Sequence, residues 1–183
     1  MRRTADTKSA NGGLIPSTPA INMISSDIYH ECKQVLDELA SVEYDCYTKN
    51  HKMYVLAPEV MMKLKIGTCW DQAWYTYNRL CKVTKTHGYF WAWYDNNKKL
   101  HTHSTVLCED GSKCYWVEHA WEAKAGIHVY TSRHRFENEI EKMLTDNDFD
   151  IKKTDANYSR LNTVATKYHG IVPDNIYWKA ITS

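Results

Sequence analysis

The sequence predicts an α+β fold, in which helices pack on an antiparallel sheet. Apolar residues recur at helical spacing in the segments before residue 82, whereas aromatic and β-branched residues dominate short segments between residues 89 and 130. Helices and strands that are segregated along the chain in this way are typical of α+β proteins and not of parallel α/β sheets.

Two helices are predicted before residue 67. Ser26 caps the first, and Pro58 suits the first turn of the second, which runs through Leu64 and is ended by Gly67. The apolar stripe of the first helix consists of Ile28, Cys32, Val35, Leu36 and Leu39.

A third and stronger helix is predicted to begin directly after Gly67. Thr68 and Asp71 form a Thr-x-x-Asp capping pair, so the helix starts beside Thr68. Its apolar positions then recur on one face, which predicts that this side is buried. These positions are Trp70, Ala73, Trp74, Tyr77, Leu80 and Cys81.

After Gly88 the pattern becomes that of strands. Segments 89–94, 101–108 and 113–121 are predicted strands, and 126–130 is a candidate fourth. The dipeptide Asp110-Gly111 between the second and third is a strong hairpin signal. Ser132 then caps a helix that carries Phe136, Ile140, Met143 and Leu144. The tail from residue 148 is weakly patterned, with loops around Gly170 and Pro173 and a last strand predicted at 176–178.

The composition is that of a globular protein. The chain has 183 residues, of which 43% are hydrophobic and 25% charged, and its net charge is +1. This charge argues against nucleic acid or an anionic membrane as the main partner. Residues 1–24 are rich in Ser, Thr, Asn, Gly and Pro, which predicts a flexible arm, and 25–183 are expected to form a single catalytic domain.

No targeting or membrane segment is recognisable in the sequence. An apolar run does not follow the N-terminal residues, and no run of eighteen apolar residues occurs, so we expect a cytoplasmic protein without a secretory signal or a membrane span. The six cysteines are therefore expected to be reduced thiols.

Cys69 is the candidate nucleophile. It lies in the first turn of the third predicted helix, where unpaired N–H groups and the helix dipole favour the thiolate form of a cysteine. The same N–H groups can bind the oxyanion of a tetrahedral intermediate. A buried and inert cysteine is the alternative interpretation.

The predicted hairpin supplies a base and an acid. If the dipeptide Asp110-Gly111 forms the loop, His103 lies directly across from Glu118, and opposite residues share one face of a sheet. Their side chains could then form a hydrogen bond that fixes the orientation of the imidazole. His101 shares this face but has no acid opposite, and His119 lies on the other face, so the register selects His103.

The segment Gly67-Thr68-Cys69-Trp70-Asp71-Gln72-Ala73 resembles the Gly-x-Cys-x-x-x-Ala nucleophile motif of the transglutaminase-like superfamily of cysteine hydrolases. Residues 57–61 resemble the helix that often leads into this motif. In that family a His on a following strand and an acid on the next strand complete a triad, and His103 and Glu118 match this order. The resemblance covers roughly residues 50–130. Residues 69–72, His103 and residues 116–121 are similar to uncharacterised bacterial and phage proteins of this kind. The acid, here Glu, is more often Asp in the superfamily.

The resemblance implies a papain- or transglutaminase-like fold and acyl transfer through a thioester. Cys69 would be the nucleophile, His103 the base and Glu118 the orienting acid, and neither a metal nor a cofactor would be needed. The substrate would be an amide in a peptide or protein; water as acceptor gives hydrolysis or deamidation, and an amine gives crosslinking. Tyr54 is a candidate oxyanion donor, whereas Gln72 is expected to support the helix. The substrate's identity and the oligomeric state are not indicated by the sequence.

Two other functions remain open at this point. A non-catalytic binding module could keep the same fold, and a metal site could form because His-x-His on a strand places two ligands on one face. Arylamine acetyltransferases also use a Cys-His-acid triad, but the chain is short for that family. The candidate metal ligands are His101, His103, His119, His128 and Cys108.

Overall fold

The computed structural model describes residues 25–46, 50, 52–95, 97–144 and 151–182, so the predicted arm at 1–24 lies outside the described residues. Helices precede and follow a run of consecutive antiparallel strands, as is typical of the α+β class, and this prediction is confirmed. In chain order the elements are α1 (Ser25–Leu39), β1 (Glu43–Tyr44), β2 (Met53–Tyr54), α2 (Pro58–Leu64), β3 (Ile66–Gly67), α3 (Cys69–Leu80), β4 (Lys85–Tyr94), β5 (Leu100–Glu109), β6 (Cys114–Glu118), a 3-10 turn (Glu122–Lys124), β7 (Gly126–Tyr130), α4 (Arg133–Leu144), β8 (Ile151–Asp155), α5 (Tyr158–Lys167), β9 (Ile171–Val172) and α6 (Asp174–Thr182).

The main sheet is an antiparallel meander with one added strand. Strands β4, β5, β6 and β7 pair in succession, as predicted, and β8 joins the free edge of β4, giving the order β7-β6-β5-β4-β8. Two small pairings complete the described strands, a parallel one between β1 and β3 and an antiparallel one between β2 and β9.

Helices cover both faces of the sheet, because successive strand residues point to opposite sides. On one face, Val106 and Val117 pack with the buried stripes of α1 and α3. On the other face, Trp116 belongs to a separate buried cluster with Phe136 and Ile140 of α4. The sheet is therefore buried on both sides in its centre.

The start of α1 and the end of α2 differ slightly from the predictions. Helix α1 begins at Ser25, so Ser26 lies within its first turn and does not precede it. Helix α2 ends at Lys65, which adopts a left-handed conformation with φ of 58° and donates its N–H to the carbonyl of Met61. The prediction that Gly67 ends this helix is wrong.

Gly67 has a packing role instead. A Cβ atom at this position would lie 2.8 Å from both Cγ and Sδ of Met61, a buried side chain of α2. A side chain there would force Met61 out of its place in the core. Glycine therefore lets the chain pass close to α2 just before α3 begins.

The hairpin between β5 and β6 turns one residue later than predicted. Val106 lies across from Val117, so the register differs from the predicted one by two positions, and the loop comprises residues 110–113. Asp110 explains this, because its Oδ1 accepts hydrogen bonds from the backbone N–H groups of Ser112 and Lys113 at 2.9 and 2.7 Å. A shift by two leaves every side chain on its predicted face.

The predictions were least accurate after β6. The strand predicted over 113–121 ends at Glu118, where the chain leaves the sheet. The strand predicted at 176–178 is wrong, because these residues lie in α6. The tail packs on the sheet through Tyr158 of α5; Gly88 of β4 lies so close that a Cβ atom on it would be 2.6 Å from the Tyr158 hydroxyl oxygen.

The cysteines of the chain are all free thiols in the structure. Cys32 of α1 and Cys108 of β5 are both fully buried, and their sulfur atoms lie 3.5 Å apart. Within the described residues, the helices are too short or too polar to cross a membrane.

Candidate active site

Cys69 is the first residue of α3, and a complete capping box fixes this position. Thr68 is the N-cap; its Oγ1 accepts the N–H of Asp71 at 3.2 Å, and Oδ2 of Asp71 accepts the N–H of Thr68 at 2.9 Å. The other carboxylate oxygen accepts the N–H of Leu56, in the segment before α2, at 2.9 Å. The predicted capping pair is therefore confirmed, and it also holds α3 against the preceding chain.

Asp71 carries out this role in a fully buried position. Burial disfavours its charged form and raises the pKa of the carboxyl group to about 7, although hydrogen bonds from the backbone of Thr68 and Leu56 oppose the shift. The strength of this cap is consequently expected to vary with pH around neutrality.

Gln72 links the chain just before Cys69 to His119, the residue that follows Glu118. Its Nε2 donates to the carbonyl oxygen of Gly67 at 3.1 Å, and its Oε1 lies 2.7 Å from Nδ1 of His119. With the Nδ1–H tautomer, His119 donates this hydrogen bond. The expectation that Gln72 supports the helix start is confirmed, and both ends of its amide are engaged.

The predicted hydrogen bond between His103 and Glu118 is present. Nε2 of His103 lies 2.9 Å from Oε2 of Glu118, and both side chains are buried. The second carboxylate oxygen of Glu118 accepts the backbone N–H of Trp121 at 2.9 Å. The indole of Trp121 also contacts the His103 ring edge-on, with the ring centroids 5.5 Å apart. Glu118 is thus held in place from two sides.

His103 also interacts with Cys69. Burial alone would lower the pKa of His103, but the charge of Glu118 and hydrogen bonds with Cys69 and Glu118 outweigh it and raise the pKa to about 10. Because Nε2 is bound to Glu118, the remaining ring nitrogen, Nδ1, is the one left for the thiol of Cys69. The three side chains that the sequence selected therefore lie together in a connected Cys-His-Glu arrangement.

The arrangement lies where β5 and β6 separate. Pairing between these strands ends at Val106 and Val117, so the part of β5 that carries His103 is bonded to β4 on one side only. A cavity of about 10 Å³ opens in this gap, lined by Cys69 and Glu118 among others. It is just large enough for one water molecule. Because β5 and β6 are no longer paired here, Cys69 at the start of α3 can contact the side chain of His103 on β5.

Tyr177 and Cys46 are further groups close to Cys69. Tyr177 of α6 is buried, and burial together with the nearby Cys69 and Asp71 raises its pKa well above the usual value. Burial also raises the pKa of the Cys46 thiol, with smaller contributions from Asp45 and Cys69. Neither residue was predicted to belong to the site, since each comes from a segment distant in sequence.

Trp121 is the other residue that sequence reasoning missed. It was assigned to the strand of Glu118, whereas it lies in the turn that follows and returns to cap the carboxylate. The one sequence signal for this turn is the segment of polar and small residues at 122–126, directly after Trp121. Tyr54, the candidate oxyanion donor, packs in the cluster formed by α1, α2 and the far end of α3, and no described contact joins it to Cys69.

The candidate metal ligands are dispersed among separate interactions. His101 bonds to Asp95 at 3.0 Å, His119 to Gln72, and His128 to the carbonyl oxygen of Lys124 at 2.7 Å. In the described ranges, no group of three or more His, Cys, Asp or Glu side chains could hold a metal ion. The geometry of the described residues therefore does not favour the metal-site alternative.

Comparisons of the chain with protein-family models, curated proteins and solved structures found no match. The site is consequently interpreted from its own geometry. A buried imidazole lies between a buried carboxylate and a cysteine at the start of a capped helix, and this combination is suited to nucleophilic catalysis by a thiol.

Proposed function

We propose that the protein is a thiol-dependent acyl-transfer enzyme that acts on amide bonds of peptides or proteins. The observation that carries the proposal is the Cys69–His103–Glu118 arrangement, with Cys69 as the first residue of a capped helix. We further propose that the fold is papain- or transglutaminase-like, because a helix-start Cys, a strand His and an acid on the next strand follow one another in that order. Such a thiol functions in a reducing compartment, for which the cytoplasm is the proposed location.

In the first half of the reaction, Cys69 gives its proton to His103, and the resulting thiolate attacks the carbonyl carbon of the amide. The carbonyl π bond opens to an oxyanion, which the backbone N–H groups of Cys69 and Trp70 can bind, because the first two N–H groups of a helix have no carbonyl partner within it. His103 then transfers its proton to the amide nitrogen. The C–N bond breaks, the amine leaves, and the acyl group remains on Cys69 as a thioester.

In the second half, His103 removes a proton from the acceptor, which is water or an amine. The acceptor attacks the thioester carbonyl, the C–S bond breaks, and Cys69 is regenerated as a thiolate paired with the imidazolium. Glu118 accepts a hydrogen bond from Nε2 of His103 throughout and stabilises the imidazolium. Water yields an acid, whereas an amine yields a new amide.

A covalent probe tests the assignment of the nucleophile. The protein is treated with an epoxide or vinyl sulfone probe for cysteine hydrolases, and the modified residue is located by peptide mass mapping. We expect one adduct, at Cys69, and its loss in Cys69→Ala. An adduct that forms equally well in His103→Ala would contradict the proposed base.

The acceptor is determined with general substrates. Cleavage of labelled casein, release of ammonia from glutamine peptides and incorporation of a fluorescent amine into casein are measured side by side. We expect at least one of the three, and we expect its loss in Cys69→Ala. Activity that persists in Cys69→Ala would overturn the proposal.

A further inference from the structure

A large cavity beside α3 is built mainly by the tail of the chain. It has a volume of about 640 Å³, which lies within the range of small-molecule and side-chain binding pockets. Side chains on one face of β4 and β5 form its floor, β8 and α5 form its walls, and α6 closes it through Ala180. The apolar lining residues are Trp70, Phe90, Ala92, Leu100, Ile151 and Leu161.

This pocket begins one residue from the nucleophile. Trp70 follows Cys69 in the first turn of α3, and its indole packs against the ring of Phe90 with 4.6 Å between the centroids. Cys69, Trp70, Phe90 and Ala92 belong to one apolar cluster, which continues from the nucleophile to the pocket floor. The Cα atoms of Cys69 and Trp70 are about 3.8 Å apart, so the pocket wall formed by Trp70 adjoins the residue that carries the thiol.

The rim of the pocket has more positive than negative charge. Lys152 and Arg160 lie on it together with one carboxylate, that of Asp155. Lys152 of β8 is exposed and lies directly across from Ala92, so its side chain is on the same face of the sheet as the apolar floor. An apolar pocket with a cationic rim is complementary to a bulky apolar group that has an anion next to it.

We infer that this pocket binds the acyl side of the substrate, and that the preferred amides carry a large aromatic or aliphatic side chain beside a carboxylate. This inference rests on the proposed function, since it places that group relative to Cys69. Burial of the apolar group against Trp70 and Phe90 provides binding energy, and Lys152 selects the negative charge.

Two alkylating reagents test the inference. Iodoacetamide is small and does not need the pocket, whereas an iodoacetamide that carries a naphthalenesulfonate has the aromatic and anionic groups that the pocket should bind. The rate constants of both reagents are measured at Cys69 and at the exposed Cys81, which reports their intrinsic reactivity. We expect the aromatic reagent to be favoured at Cys69 by on the order of tenfold over the ratio at Cys81, with saturation kinetics.

Two variants connect this preference to the pocket. Ala92→Leu fills the floor and should remove the preference, while the iodoacetamide rate at Cys69 is retained. Lys152→Glu reverses the rim charge at an exposed position and should reduce the preference by on the order of fivefold. Lys142→Glu, on α4 at the other face of the sheet, makes the same charge change and should have no effect.

The outcomes separate the two proposals. If iodoacetamide modifies Cys69 readily but the reagent ratio equals that at Cys81, the pocket inference is overturned and the thiol chemistry stands. A preference that survives both Ala92→Leu and Lys152→Glu also overturns the inference. If neither reagent modifies Cys69 in the native protein, the proposed function fails, and the inference fails with it.

Discussion

At the scale of single residues, the site depends on which groups surround His103. Its ring is buried between a carboxylate, a thiol and an indole; burial disfavours the charged form, but the carboxylate of Glu118 and the thiol of Cys69 raise the pKa to about 10. The imidazolium is therefore the stable form at neutral pH, and it can pair with a thiolate at Cys69. His101, two residues away on the same strand, instead bonds to Asp95 near the hairpin end.

The two histidines provide a matched test of thiol activation. We expect iodoacetamide near pH 6 to modify Cys69 before Cys81, although Cys81 is exposed, because pairing with an imidazolium favours the reactive thiolate. His103→Ala should slow the modification of Cys69 by about tenfold or more, and His101→Ala should leave it unchanged. Rates are measured by mass spectrometry; equal effects of the two substitutions would contradict the role of His103.

Glu118→Gln tests the charge of the acid at nearly constant shape. The variant keeps an oxygen for the N–H of Trp121 but loses the carboxylate that stabilises the imidazolium. We expect turnover to fall by on the order of 10²- to 10⁴-fold, and the melting temperature at neutral pH to fall as well, because the charge of Glu118 is the main interaction that raises the pKa of His103. Glu118→Asp keeps the charge and shortens the side chain by one methylene. A smaller loss of turnover in Glu118→Asp than in Glu118→Gln would show that the charge matters more than the length of the side chain.

The raised pKa of His103 also predicts a pH-dependent stability. A group whose pKa is higher in the folded state stabilises the fold fully below its unfolded pKa of 6.5, and this contribution is lost as the pH rises towards about 10. The destabilisation caused by His103→Gln should therefore be largest at pH 6 and shrink by pH 10 in urea unfolding experiments. His134→Gln, at an exposed position on α4, is the control. A destabilisation that grows with pH would contradict the assignment.

At the scale of secondary-structure elements, local signals predicted most of the framework of the candidate site. The start of α3 could be predicted because Thr68 and Asp71 form a short-range capping box. The register of the hairpin could not, because the side chain of Asp110 holds the turn one residue later than the Asp-Gly pair suggests. The prediction that His103 and Glu118 lie on the same face was not affected by this error, since a shift of two residues leaves each side chain on its face.

The capping box makes a prediction of its own. Asp71→Ala removes the acceptor for the backbone N–H groups of Leu56 and Thr68 in a buried position. We expect a loss of about 2–4 kcal/mol in the free energy of unfolding, measured with urea, because a cap is lost and buried donors are left unpaired. Asp37→Ala, at an exposed position of α1, should cost much less. Equal losses would show that Asp71 does not anchor α3.

At the scale of the whole molecule, the tail was the part that the sequence predicted least. Strand β8 is an edge strand with a single apolar residue, Ile151, and none of its residues is buried, so the sequence carried too little signal to predict it. The three apolar residues at 176–178 were too few to distinguish a strand from the helix that they form. Yet the tail contributes Tyr177 near Cys69 and the walls of the large pocket.

The buried sulfur pair of Cys32 and Cys108 makes the stability of the fold measurable without denaturant. Each sulfur covers the other between α1 and β5, so an aromatic disulfide reagent can reach either one only when the structure opens. We expect both thiols to react with one shared rate constant, far below that of Cys81, and the ratio of these rates to give the free energy of opening. If that free energy is smaller than the one obtained from urea unfolding, α1 separates from the sheet on its own. If Cys32 reacts well before Cys108, the two elements do not open as one unit.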